Sequence, residues 1–162
     1  MEISSLQILA IFIVSAVAGM GSVLDELQTH RPLIACTFTG LILGDMTTGI
    51  IIGGTLEMIA LGWMNIGAAM APDAALASVI STILVIAGHQ TIGAGIAIAM
   101  PLAAAGQVLT ILCRTLTVVF QHQADNFAEK GELRGIDICH LGALLIQALR
   151  VAVPSTLVAM YI

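Results

Sequence analysis

The chain has 162 residues, of which 59% are hydrophobic and 9% are charged, and its mean hydropathy is +1.06. Soluble domains carry about 25% charged residues, so this composition excludes an ordinary soluble domain and indicates a membrane protein. The net charge of −5 comes from acids spread along the chain, and five basic residues are too few to form a nucleic-acid-binding surface.

The first predicted element is a membrane helix over residues 3–24, which carry no charge. At 1.5 Å per residue, this run can cross a hydrocarbon core of about 30 Å. The polar run DELQTHRP at residues 25–32 ends the helix, because Pro32 lacks a backbone donor and disfavours helical geometry at Arg31. The following apolar run, residues 33–43, is too short to span a membrane.

Two interrupted apolar segments follow, at residues 46–64 and 66–88. Several glycines and Glu57 interrupt the first segment, and the pair Pro72-Asp73 interrupts the second. Such segments are typical of re-entrant hairpins and discontinuous helices, which are tolerated at membrane depth only where protein or a watery cavity satisfies the free backbone groups. The pattern therefore indicates a transport site.

A short internal sequence repeat favours a hairpin in this region. The sequence TGLILG at residues 39–44 recurs as TGIIIG at residues 48–53. Each copy contains the spacing GxxxG, which lets helix backbones approach closely in lipid. The repeat thus predicts two short helices packed against each other.

The second half of the chain is predicted to contain two further helices. Residues 91–120 form a long apolar run, in which Pro101 should introduce a kink. Residues 121–137 are hydrophilic and are predicted to be an extramembrane linker, on the cytoplasmic side because it contains Lys130 and Arg134. Asp137 is the predicted N-cap of a last helix at residues 138–153.

That last helix is expected to turn a polar stripe of His140, Gln147 and Arg150 toward the bundle. The chain then stops inside the apolar run VPSTLVAMYI, which predicts a membrane domain that is truncated or completed by partner subunits. The predicted fold is an all-α membrane protein, a multi-helix bundle with broken helices and re-entrant hairpins in a single domain.

Three polar residues, Glu57, Asn65 and Asp73, are spaced by eight in this apolar setting. An acid at the bilayer centre costs about 2.5–3.5 kcal/mol, so both carboxylates need a partner or a purpose. A straight helix would point Glu57 and Asp73 about 160° apart. Gly62, Gly67 and Pro72 provide a break that allows the three side chains to line one pocket.

The predicted ligand of this pocket is a neutral polyol, because carboxylate and amide oxygens accept hydrogen bonds from hydroxyls while amide N–H groups donate back. Gln28, Gln90 and Gln107 are additional candidates for such contacts. No basic residue is close in sequence, so an ion pair would need an arginine from elsewhere in the chain. A bound cation, Na⁺ or a proton, is the competing interpretation.

Each of these residues also has a purely structural interpretation. Glu57 would be neutral or cap a broken helix end, Asp73 would be the N-cap of the next helix, and Asn65 would join two helices. Trp63 would either cover the C–H face of a pyranose or anchor the chain at the membrane interface. His89 would be a turn residue.

The sequence predicts no metal, no cofactor and no catalytic centre. The cysteines and histidines lack ligand spacing, and the serines lack a GxSxG setting. A phosphate-binding P-loop is also missing from the sequence. Any chemistry is therefore expected to be performed by another protein.

Four stretches of the sequence together resemble one known family. They are MEISSLQI at the start, GMGSVLDELQTHRPLIACTFTGLILGD at residues 19–45, GGTLEMIALGWMNIGAAMAPDAALASVISTILVIAGHQ at residues 53–90, and PLAAAGQVLT at residues 101–110. The chain resembles the membrane IIC component of the mannose/fructose/sorbose class of bacterial sugar phosphotransferase systems along essentially its whole length.

This resemblance implies a single IIC-type membrane domain in the bacterial inner membrane, incomplete relative to the longer family chains. It implies a hexose substrate, a IID membrane partner and cytoplasmic IIA and IIB phosphocarriers, of which IIB phosphorylates the sugar. The implied sugar-binding residues are Asp25, Gln28, Glu57, Asn65 and Asp73. Secondary contacts are expected from a further set: Trp63, His89, Gln90 and His30.

Two other functions remain open at the level of sequence. An ion- or proton-coupled secondary carrier would use Glu57 and Asp73, and would deliver unphosphorylated sugar. A non-transporting assembly or receptor subunit would use its polar residues only for helix packing.

Overall fold

The computed structural model describes residues 3–24, 26–67 and 69–162. Six α-helices account for most of them, and no β-strand occurs within these ranges beyond a single bridge between Ile66 and Ala69. The helices are α1 (Ser5–Leu24), α2 (Pro32–Leu43), α3 (Met46–Ala60), α4 (Ala74–Ile86), α5 (Ile92–Glu129) and α6 (Leu133–Tyr161). The predicted all-α fold is confirmed.

The helices fall into two length classes. α1, α5 and α6 are long and apolar enough to cross a membrane, whereas α2, α3 and α4 are apolar but have only 12, 15 and 13 residues. α1 packs mainly on α6, and α2 mainly on α3. The prediction of full-length helices combined with short, broken ones is therefore confirmed.

α2 and α3 form the predicted helical hairpin. Gly44 closes α2 with a φ of 88°, and Asp45 caps α3 by accepting a hydrogen bond of 3.0 Å from the Thr48 amide. The Thr48 hydroxyl also donates to Asp45, and these bonds hold the pKa of its carboxyl below the usual range. A Cβ on Gly49 would lie 2.5 Å from the Cys36 carbonyl oxygen, so the second GxxxG copy permits the close helix contact.

α4 is the central helix of the described structure, and it packs against α2, α3, α5, α6 and α1. Its residues Val79 and Ile83 are completely buried. The described residues between α3 and α4, 61–67 and 69–73, are not helical, and we call them the α3–α4 loop. The break that Gly62, Gly67 and Pro72 predict between two helices is therefore present.

The boundary between the last two helices differs from the prediction. α5 continues through Glu129, and α6 begins at Leu133 after a turn in which Gly131 has a φ of 71°. The predicted N-cap at Asp137 is wrong, because Glu132 occupies the N-cap position and Asp137 lies inside α6. Polar residues are compatible with an exposed helix, so hydrophilicity alone did not mark a helix end.

Candidate binding site

A cavity of about 960 Å³ lies where the α3–α4 loop meets the start of α4 and the facing sides of α5 and α6. The end of α1 and the residues just before α2 complete its wall. The polar residues in this wall include Ser22, Gln28, His30, Arg31, Asn65, Asp73, Thr110, Arg114, Gln147 and Arg150.

Asp73 lies in the wall of this cavity and is the N-cap of α4. Its Oδ1 accepts a hydrogen bond of 3.2 Å from the Leu76 amide, which confirms the N-cap interpretation. Its Oδ2 forms an ion pair with Arg150 and accepts a 3.3 Å bond from the Thr110 hydroxyl. The side chain is only 3% exposed, so most of its hydrogen-bonding capacity is used inside the protein.

Arg150 connects four helices through this cluster. Besides its ion pair with Asp73, it donates to Thr110 Oγ1 at 2.6 Å and to Ser22 Oγ at 2.8 Å. Its side chain is 1% exposed. A buried charge is stable only when it is paired and hydrogen-bonded, and here α1, α4 and α5 supply the partners of an arginine on α6.

Glu57 is positioned differently from Asp73. It forms an ion pair with Arg31, and its Oε2 accepts a 3.1 Å hydrogen bond from the Leu33 amide in the first turn of α2. This contact confirms that Glu57 caps a broken helix end. Among the described residues that line the cavity, Arg31 is present and Glu57 is not, so Glu57 adjoins the cavity through its partner.

The α3–α4 loop carries Trp63 and Asn65 into the cavity wall. Asn65 Oδ1 accepts a 2.9 Å bond from the Ala71 amide, which closes the loop on itself. Two hydrogen bonds to α5 anchor the end of the loop. The side-chain amide of Gln107 donates to the Met70 carbonyl oxygen at 2.5 Å, and the backbone amide of Asp73 donates to the Ala103 carbonyl oxygen at 2.9 Å. The loop is thus a fixed part of the wall.

The other predicted site residues divide into three groups. Gln28 and His30 line the cavity, and Gln28 has a positive φ of 52°. Asp25 lies outside the described residues. His89 and Gln90 follow the C-terminal end of α4, about 20 Å along the helix from Asp73, and neither lines the cavity. His89 has a φ of 51°, in agreement with its interpretation as a turn residue.

The cavity wall therefore contains Asn65 and Asp73 together with Trp63, Gln28 and His30. Glu57 adjoins this wall only through Arg31, and His89 and Gln90 lie elsewhere. Sequence reasoning did not assign Arg150 or Thr110 to the site. The sequence places Arg150 on a polar stripe of the last helix and makes it one of three arginines, with Arg31 and Arg114, that could pair with a buried carboxylate. The pairing with Asp73 agrees with the second expectation.

The sequence matches a protein family described as the sorbose-specific IIC component of the phosphotransferase system, over residues 5–162. The chain belongs to this family. The mannose-specific EIIC component of Escherichia coli K12 is 71% identical to it over 160 residues, which are 99% of this chain and 60% of that protein. The resemblance inferred from the sequence motifs is confirmed.

Other relatives bear different sugar names. The sorbose-specific EIIC component of Klebsiella pneumoniae is 67% identical over 100% of this chain and 61% of that protein. The fructose permease IIC component of Bacillus subtilis is 62% identical over 97% of this chain and 58% of that protein. The chain thus spans about three fifths of the length of the curated relatives it matches.

A solved structure has the same fold. The cryo-EM structure of the mannose transporter ManYZ in complex with microcin E492 superimposes with a TM-score of 0.96 and 71% sequence identity, covering 99% of this chain and 64% of that chain. Together with the three long apolar helices, the family identifies this chain as a multi-pass protein of the bacterial inner membrane.

Proposed function

We propose that this chain is the part of a IIC subunit that binds a hexose and carries it across the membrane. The single observation that carries the proposal is the cavity whose wall contains an indole, carboxamides and hydroxyls beside carboxylates already paired with arginines. Such a wall suits a neutral polyol, because its side chains can both donate hydrogen bonds to sugar hydroxyls and accept hydrogen bonds from them. Its carboxylate is already paired and does not require a cation.

The charge pairing also favours this proposal over an ion-coupled carrier. Asp73 is paired with Arg150, and Glu57 is paired with Arg31. A carboxylate that binds Na⁺ or exchanges a proton has to be available to the ion, and these two carboxylates are held by guanidinium groups. The alternative of a non-transporting subunit does not account for a cavity of this size with polar side chains in its wall.

The partners of the complete transporter follow from the same proposal. We infer a IID membrane subunit, since the structural relative is described as the transporter ManYZ, and cytoplasmic IIA and IIB phosphocarriers. In this arrangement the IIC subunit performs no chemistry, and IIB transfers the phosphoryl group to the sugar.

Asn65→Ala in the complete transporter tests the proposal. The Asn65 Nδ2 has no partner among the described residues, so it is available to a sugar hydroxyl, and its Oδ1 holds the loop closed. We expect mannose uptake to fall about tenfold or more, because the substitution removes both a hydrogen bond to the sugar and the hydrogen bond that closes the loop. Uptake of radiolabelled mannose, with the product separated into sugar and sugar phosphate, measures the effect.

Asn126→Ala is the matched control, because Asn126 is an exposed residue of α5 outside the cavity wall. Unchanged uptake by Asn65→Ala would remove this loop from the site. Accumulation of unphosphorylated sugar that depends on a Na⁺ or proton gradient would instead support a secondary carrier.

A further inference from the structure

The α6 side of the cavity wall contains a pair of polar residues, Gln147 and Arg150, that have no assigned role in binding. Each is only 4% exposed, and both line the cavity. They are three residues apart on one helix, a spacing that places their Cβ atoms about 5–6 Å apart on the same face.

Each of these two residues has one buried atom without a hydrogen-bond partner in the part of the chain that the structure describes. The atoms are Oε1 of Gln147, an acceptor, and Nε of Arg150, a donor. Buried polar atoms are nearly always hydrogen-bonded, so an unpaired donor and an unpaired acceptor on neighbouring side chains require an explanation.

The remainder of Arg150 is fixed in place. Its Nη atoms bond to Asp73, Thr110 and Ser22, so the guanidinium plane cannot turn to find another partner for Nε. Gln147 is less constrained, because rotation about the terminal torsion of an amide side chain is soft. Rotation about this torsion changes the direction of Oε1, and Gln147 and Arg150 both line the cavity.

A hydroxyl group fits this donor and acceptor together. One O–H group donates a single hydrogen bond and accepts up to two, whereas an ammonium only donates and a carboxylate only accepts. The cavity volume of about 960 Å³ is within the range of about 300–1,000 Å³ found for small-molecule sites.

We propose that Gln147 and the Nε of Arg150 form a hydroxyl-binding subsite, in which one hydroxyl of the hexose donates to Gln147 and accepts from Arg150. This inference rests on the proposed function and deepens it, since it adds a residue on α6 that distinguishes one position of the sugar ring. Gln147 is then a specificity-determining residue in the same cavity wall as the α3–α4 loop.

Equilibrium binding of D-mannose and its 2-, 3-, 4- and 6-deoxy analogues to the purified complete transporter tests the subsite. The variants are Gln147→Met and Gln147→Leu, both apolar and close to glutamine in size. Gln123→Met, at an exposed position of α5 outside the cavity wall, is the matched control. Calorimetry gives the Kd of each protein variant for each sugar and does not depend on phosphorylation of the sugar.

We expect one deoxy analogue to bind the wild type about tenfold more weakly than mannose, as for the loss of one hydrogen bond. Both Gln147 variants should bind mannose about tenfold more weakly than the wild type does. They should bind that one deoxy analogue as tightly as the wild type binds it, because the hydroxyl that Gln147 contacts is missing from this analogue. The other analogues should lose affinity in the variants to the same extent as mannose. The Gln123→Met variant should match the wild type throughout.

Two results would overturn the subsite. Equal losses for mannose and every analogue would mean that Gln147 only supports packing, and unchanged affinities would mean that an ordered water satisfies both atoms. In either case hexose binding by the wild type would leave the proposed function intact. If the wild type binds no hexose, the proposed function itself fails, and the subsite fails with it.

Discussion

Arg150 and Asp73 form a buried ion pair between residues that are far apart in the sequence, and both lie in the cavity wall. The sequence identified both residues as polar exceptions, but it could not show that they meet. No local pattern links α4 to α6, and only the packing of α1, α4, α5 and α6 brings the guanidinium to the carboxylate. The N-cap role of Asp73, by contrast, is a local feature and could be predicted.

Arg150→Met should strongly destabilise the protein. It removes one partner of a buried pair and leaves Asp73 as an uncompensated buried charge, for which losses of about 3–5 kcal/mol are typical. Chemical unfolding of the purified transporter in detergent measures the change. The double variant Asp73→Asn/Arg150→Met should be less destabilised than the sum of the two single variants.

Arg134→Met is the control for this prediction, because Arg134 is an exposed residue of α6 with no ion pair among the described residues. If Arg150→Met costs no more stability than Arg134→Met, the buried pair does not stabilise the fold.

Glu57 provides a second test at the level of single residues. Its carboxylate caps α2 through the Leu33 amide and pairs with Arg31, which is 34% exposed. Glu57→Gln keeps an acceptor for the amide and loses only a partly exposed ion pair, so we expect a cost of about 0–1 kcal/mol. Glu57→Ala also removes the cap and should cost about 1 kcal/mol more.

Thermal unfolding of the two variants, compared at equal protein and detergent concentrations, separates these contributions. Equal losses for Glu57→Gln and Glu57→Ala would show that the contact with the Leu33 amide is not a stabilising cap.

At the level of secondary-structure elements, the α2–α3 hairpin depends on a close contact between backbones. A Cβ on Gly49 would lie 2.5 Å from the Cys36 carbonyl oxygen, whereas a Cβ on Gly54 has no neighbour within 4 Å. Gly49→Ala should therefore separate the two helices and cost about 1–3 kcal/mol through overpacking. Gly54→Ala should be neutral or stabilising, because alanine favours a helix interior by about 1 kcal/mol over glycine.

The two variants make the same chemical change on the same helix, so their difference in unfolding free energy isolates the contact. A Gly49→Ala protein as stable as Gly54→Ala would contradict the close packing of α2 on α3.

The hairpin and the α3–α4 loop were the elements that the sequence predicted best. Glycine spacing and the Pro72-Asp73 pair are local signals with a direct effect on backbone geometry. The turn between α5 and α6 was predicted poorly. Residues 121–129 are polar but continue α5, because a helix with exposed sides tolerates polar residues, and only Gly131 marks the actual break.

At the scale of the whole molecule, the bundle assembles a cavity with polar groups in its wall from parts that are distant in sequence. The α3–α4 loop provides Trp63 and Asn65, while α6 provides Gln147 and Arg150. Sequence motifs predicted the family and some of the residues that line this cavity. They did not predict which polar residues would be committed to ion pairs, since that depends on how six helices pack.

We propose that a neutral hexose binds in this cavity, whose wall contains the α3–α4 loop and part of α6. A cryo-EM structure of the complete transporter with D-mannose would show whether it does. We expect sugar density in contact with Trp63 and Asn65, with the Asp73–Arg150 pair intact beside it. Sugar density at another place, with this cavity closed by protein side chains, would show that the hexose does not bind here.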